Sequence, residues 1–146
     1  MTERTTRKSI SHDPIFAWAM VILWMVVIFA FSHQPYSGAV TEPYLGMLNV
    51  PVRKLAHITE YAVLFILVRR AIDLSLPTKR KKSAFVNIFA FLIAFLYALS
   101  DEWHQSIVPG RSATFSDVCV DMCGAAAGFL VALAARMSGF DRGCRN

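Results

Sequence analysis

The chain has 146 residues, room for one domain and little else. Apolar residues make up 55% of it and charged ones only 17%, too greasy a mixture for an ordinary soluble domain of this length. The net charge of +5 is spread over particular loops and tails rather than gathered into one patch, so nucleic acid is not an expected partner.

In chain order, the first predicted element is an uncharged run over residues 14–32. It is close to the roughly 20 residues a helix needs to cross about 30 Å of hydrocarbon. It has no polar face, which a helix of a soluble bundle requires. Arg4, Arg7 and Lys8 ahead of it, and Ala30-Phe31-Ser32 at its end, resemble a signal peptide. Its apolar core exceeds the roughly 7–15 residues usual for such a segment, so an uncleaved anchor is expected.

Residues 33–51 contain the turn formers Pro35, Ser37, Gly38, Pro43, Gly46 and Pro51, interleaved with Tyr36, Tyr44, Leu45 and Met47. This mixture predicts a loop folded back on the membrane interface. A second span over about 53–70 begins with Arg53, Lys54, His57 and Glu60. Arg53, His57, Glu60 and Leu64 fall at i, i+4, i+7 and i+11, on one helical face. A third span over about 83–101 is uncharged until Asp101 and Glu102, and Gln105 lies one turn beyond Asp101.

Pro109-Gly110 marks a turn, and Thr114 or Ser116 can cap a fourth span over about 117–136. On that last helix Asp117, Asp121, Gly124 and Gly128 share a face, and Gly124 to Gly128 form a GxxxG motif for close packing on a neighbouring helix. The carboxylates on the same face should therefore point into the bundle.

The fold class predicted is an all-α membrane protein with four transmembrane helices in a single domain, 1–146. Arg69, Arg70, Lys79, Arg80, Lys81 and Lys82 lie between the second and third spans, and Arg136, Arg142 and Arg145 follow the fourth. Residues 33–51 have no Lys or Arg, and 101–117 have only Arg111. Basic loops stay in the cytoplasm, which puts both termini inside. Of the three cysteines, Cys119 and Cys123 are four apart on one helix, a poor disulfide geometry, and Cys144 falls in the tail. Cys119 and Cys123 are expected to be small, buried and inert.

Ionisable groups at membrane depth are costly and usually pair at a working site. His57, Glu60, Asp101, Glu102 and Asp117 are the candidate acids and bases; Arg53, Lys54, Gln105 and Arg111 are the candidate anion- or substrate-binding groups. Three functions fit them. One is hydrolysis or transfer on an anionic lipid head group or lipid-linked cell-wall precursor, with His57 and Glu60 or Asp101 as acid and base. Another is proton-coupled transport through Glu60 or Asp121. In the third, the network only orders the bundle. Each residue also has a plainer role: Arg53 and Lys54 can snorkel, His57 can be a satisfied interior histidine, Glu60 can form a structural salt bridge with a base, Asp101 and Glu102 can cap the membrane edge, Gln105 and Arg111 can hydrogen-bond the outer loop, and Trp103 and His104 can rest at the interface. No cofactor or metal is expected. A divalent ion on His57, Glu60, Asp101 and Asp117 is the lesser variant, and no H-E-x-x-H, P-loop or G-x-S-x-G motif is present.

The stretch Arg53-Lys54-Leu55-Ala56-His57-Ile58-Thr59-Glu60-Tyr61 resembles the VanZ-like family of small bacterial membrane proteins. So do Ser100-Asp101-Glu102-Trp103-His104-Gln105, Val108-Pro109-Gly110-Arg111, Asp117-Val118 and Gly124-Ala125, while Ser32-His33-Gln34 is similar to the family's Ser-x-Gln. The three blocks are specific together. The resemblance covers residues 18–133 and implies a multi-pass protein of the bacterial cytoplasmic membrane. The family takes its name from a protein associated with low-level teicoplanin resistance. Asp121 departs from the family pattern, which usually has Asn there.

Overall fold

The computed structural model describes residues 13–77, 83–111 and 113–137. Arg4, Arg7, Lys8, the cluster from Lys79 to Lys82, Arg142, Cys144 and Arg145, all used above, lie outside the described residues.

Among the described residues, five α-helices and one 3-10 turn follow in order. They are α1 (Pro14–Ser32), α2 (Ser37–Leu45), the 3-10 turn (Gly46–Leu48), α3 (Asn49–Ser75), α4 (Ser83–Ser106) and α5 (Phe115–Met137). α1 starts where its sequence can start a helix. The Asp13 carboxylate accepts the Ile15 N–H at 2.9 Å, and Pro14 occupies the first turn, where its missing N–H costs nothing. α3 begins at Asn49, four residues before the predicted span, with Pro51 tolerated in its first turn.

Residues 37–45, read from sequence as loop, form a helix. The helix gains its hold from tertiary bonds rather than from its own propensity: Asn49, buried at the start of α3, donates from Nδ2 to the Gly38 carbonyl at 2.8 Å and accepts from Thr41 Oγ1 at 2.6 Å. One turn earlier the chain takes a left-handed residue at Tyr36 (φ 54°), whose N–H donates to the Pro109 carbonyl at 3.2 Å. Gly110 (φ +74°) lies under the Tyr36 ring, where a Cβ would collide with the aromatic carbons. That contact joins the α1–α2 linker to the α4–α5 loop.

α3 is the central helix, packed against α1, α4 and α5. Its Tyr61, Leu64, Phe65, Val68 and Ala71 are fully buried, and Val86, Ala90, Ala94 and Ala98 line α4 at four-residue spacing so that its backbone comes close. On α5, a Cβ at Gly124 would run into the Ile58 carbonyl, and one at Gly128 would sit 2.5 Å from the Ala62 oxygen. Two hydrogens therefore set the depth of the α3–α5 crossing.

α1, α4 and α5 are each long and apolar enough to cross a membrane. Ile15, Ile22 and Leu23 on α1, Ile88 and Leu96 on α4, and Leu130 and Val131 on α5 are exposed, the outward greasiness expected of a bundle solvated by lipid. α3 has 27 residues but carries too many charges to meet the same measure of apolarity. One expectation fails. Cys119 and Cys123 are exposed, not buried. With Asp121, Gly124 and Gly128 turned to α3, the residues two before and two after Asp121 must lie on the opposite face of the same helix.

Candidate functional site

The polar side chains gather at one end of the bundle. From α3, Arg53, His57 and Glu60 face the same side. His57 donates from Nδ1 to Asp121 Oδ1 on α5 at 3.0 Å; Asp121 is only 1% exposed. The bond leaves Nε2 as the second ring nitrogen, and His57 lines two cavities. An aspartate that accepts from one imidazole nitrogen fixes the tautomer and aims the other nitrogen.

A second chain of bonds runs across α4. Asp101 Oδ2 accepts from Ser32 Oγ at 2.9 Å and from Gln105 Nε2 at 2.8 Å. Gln105 Oε1 accepts from Arg111 Nη2 at 2.8 Å, and Arg111 Nη1 donates to Ser37 Oγ at 2.6 Å. One chain of contacts thus links the ends of α1 and α4, the following loop and the start of α2. Glu102, beside it, accepts the Thr114 backbone N–H, and Asp117 Oδ2 accepts from Thr114 Oγ1 at 2.9 Å.

Four buried atoms in this region have no hydrogen-bond partner among the described residues: Tyr61 Oη, Asp101 Oδ1, Glu102 Oε2 and Arg111 Nε. Arg111 lies in the loop, where burial above all, and then the nearby Arg53 guanidinium, lower its pKa from the ordinary arginine value. Neither arginine forms an ion pair among the described residues. Two guanidinium groups kept close together without a bonded carboxylate make a setting that an anion would relieve.

Two cavities flank His57. The first, about 220 Å³, is lined by Ser32, Ser37, Arg53, His57, Glu60 and Arg111 among others. The second, about 250 Å³, is lined by Arg53, Lys54, His57, Gln105, Thr114 and Asp117 with Val50. Arg53 and His57, one helical turn apart, form the wall between them. Glu102 lines neither cavity and is held by the Thr114 backbone.

Of the residues singled out from sequence, Arg53, His57, Glu60 and Arg111 meet in the first cavity; Lys54, Gln105 and Asp117 meet in the second. Asp101 stands behind the first, bonded to Ser32 and Gln105. No group of three or more His, Cys, Asp or Glu converges to hold a metal among the described residues. The residues not assigned to the site from sequence are Ser32, Ser37 and Thr114, and the sequence reading makes Asp121 a proton carrier rather than the partner of His57. Asp121 did carry a signal, as an acid on the glycine face of α5, and Ser32 another, as the head of Ser-x-Gln.

The described fold is all-helical, with three helices long and apolar enough to cross a membrane and a polar cluster at one end of the bundle, the pattern of a helical membrane protein. The family model described as VanZ/LLP1 matches residues 16–136, and the chain belongs to that family. No curated protein and no solved structure matches it.

Proposed function

We propose that the chain binds the anionic head group of a membrane lipid or lipid-linked cell-wall precursor and performs proton transfer on it. Arg53 and Arg111 grip the phosphate, Lys54 adds charge from the second cavity, and His57, aligned by Asp121, takes a proton from the attacking water or hydroxyl and returns it to the leaving oxygen. α3 is the fourth span, both termini are cytoplasmic, and the site faces away from the cytosol of a bacterium. The basic residues of the α3–α4 linker and of the two tails support this orientation.

The observation carrying the proposal is the His57–Asp121 bond in a wall shared by two cavities, with two guanidinium groups beside it that bond no carboxylate among the described residues. A transporter needs no imidazole held in one tautomer between two chambers. A purely structural network has no use for two arginines without acids. Where the head group is that of a cell-wall precursor, altered susceptibility to teicoplanin follows.

The test is lipid and precursor profiling of a deletion strain complemented with the unmodified chain, His57→Gln or Arg53→Gln. One anionic species should accumulate in the deletion and stay high with either variant. Unchanged profiles in the deletion strain refute the proposal. Buried carboxylates at Asp101 and Asp121 favour proton-coupled transport as the second choice, and pH-driven uptake into vesicles that Glu60→Gln abolishes would establish it instead.

A further inference from the structure

We propose that His33 and His104 form a binding site for one borderline divalent transition ion, of the Zn2+ or Cu2+ kind, separate from the cluster around His57. His33 follows the last turn of α1, and His104 lies in the last turn of α4. Neither lines either cavity beside His57.

The two rings already aim a nitrogen at each other: His33 Nδ1 and His104 Nε2 are 3.1 Å apart. Two imidazole nitrogens bound to one tetrahedral Zn2+ at 2.0–2.1 Å lie about 3.3 Å apart, so the nitrogens need to separate by only a few tenths of an ångström while both rings turn to converge their lone pairs on the ion. The rings are held for it. The His33 backbone N–H bonds the Phe29 carbonyl at 2.8 Å, and the Phe29 ring packs 4.5 Å from the His104 ring and 5.7 Å from that of His33, centroid to centroid. Without an ion, one N–H occupies the line between the rings. On binding, the donor ring moves that proton to its outer nitrogen through solvent, so both inner nitrogens present lone pairs and the proton balance is unchanged.

The donor set selects the ion. Two neutral imidazoles suit Zn2+, Cu2+ or Ni2+ and are poor ligands for Mg2+ or Ca2+. A cavity of about 210 Å³, lined by both histidines with Pro35, Ile107 and Pro109, leaves room for the waters that complete the coordination. With two protein ligands the site is weaker than a four-ligand structural centre. Its mechanical effect lies close to the first site: Ser32 and Gln105, the chain neighbours of His33 and His104, both bond Asp101. A bound ion fastens α1 to α4 at that level.

The experiment uses the full chain, purified without a polyhistidine tag, with Cys119, Cys123 and Cys144 replaced by Ser to remove competing thiols. Calorimetry with Zn2+ should give one saturable site. The Cu2+ paramagnetic resonance spectrum should show splitting from two nitrogens, a reading that needs no histidine variant. His33→Gln and His104→Gln should each weaken Zn2+ binding about tenfold or more, while His57→Gln and His12→Gln leave it unchanged. No Zn2+ uptake, a Cu2+ spectrum without two nitrogens, or binding that survives both ring substitutions overturns the proposal. None of these readings depends on the lipid reaction.

Discussion

His57 on α3 and Asp121 on α5 bond at 3.0 Å one turn from the point where Gly124 meets the backbone of Ile58, so the alignment of the candidate base depends on the close α3–α5 crossing. The carboxylate is buried and the imidazole reaches the cavities. Its chemistry and its packing are therefore coupled through one turn of α5.

Replacing Asp121 by Ala leaves His57 Nδ1 without its acceptor and should lower turnover of the accumulating lipid by roughly 10²-fold or more, the scale of a general acid–base contribution. Asp121→Asn keeps an acceptor oxygen and should fold at normal abundance with partial turnover. Both are read by lipid profiling alongside size-exclusion chromatography of the purified chain. Full activity in the Ala variant would remove Asp121 from the mechanism.

Arg53 should bind anion as a fork and not merely as a charge. Arg53→Gln ought to weaken association with vesicles of anionic lipid by about 1.5–3 kcal/mol per lost charged hydrogen bond, and Arg53→Lys should restore only part of it. Gly38→Ala offers a subtler probe, since a Cβ there would lie 2.7 Å from Arg53 Nη1 and push the guanidinium aside without removing it. Binding unchanged in all three variants would place the anion elsewhere.

Gly124→Leu and Gly128→Leu should both destabilise the bundle in detergent by at least about 1–3 kcal/mol, the usual cost of overpacking. Ala126→Leu, on the exposed face of the same helix, should be silent. Thermal unfolding of the three variants checks the contrast. Cys119→Ser and Cys123→Ser, also on the outer face, should stay within about 0.5 kcal/mol of the unmodified chain.

Orientation is open to direct labelling. In a cysteine-free background, Met47→Cys should react with a membrane-impermeant maleimide in intact spheroplasts, because Met47 is 97% exposed beyond α2. Thr78→Cys should react only after permeabilisation. The opposite pattern would turn the site toward the cytosol.

The apolar runs made α1, α4 and α5 legible, because a helix solvated by lipid needs little more than length and greasiness. α2 was not legible. Its turn formers describe a loop, and long-range bonds, among them Asn49 to the Gly38 carbonyl and Thr41 to Asn49, hold it helical. The periodicity of α3 placed Arg53, His57 and Glu60 on one face, yet the partner of His57 was sought in Glu60 or Asp101. Asp121 takes that role because Gly124 and Gly128 set the rotation of α5 against α3, and helix spacing within one segment says nothing about rotation between two. The loop turn at Pro109-Gly110 was readable; its contact with Tyr36, spanning 73 positions of chain, was not.

The position of α3 bears on biogenesis. The most charged helix is the one at the centre, and a single Arg, Lys or Asp at mid-bilayer costs about 2.5–3.5 kcal/mol on insertion scales. On the four-span topology proposed above, α3 enters the membrane after α1 and before Asp121 has been made. On that topology α3 waits beside α1, with Trp24 on the Glu60 carbonyl, until the hairpin of α4 and α5 covers its polar face.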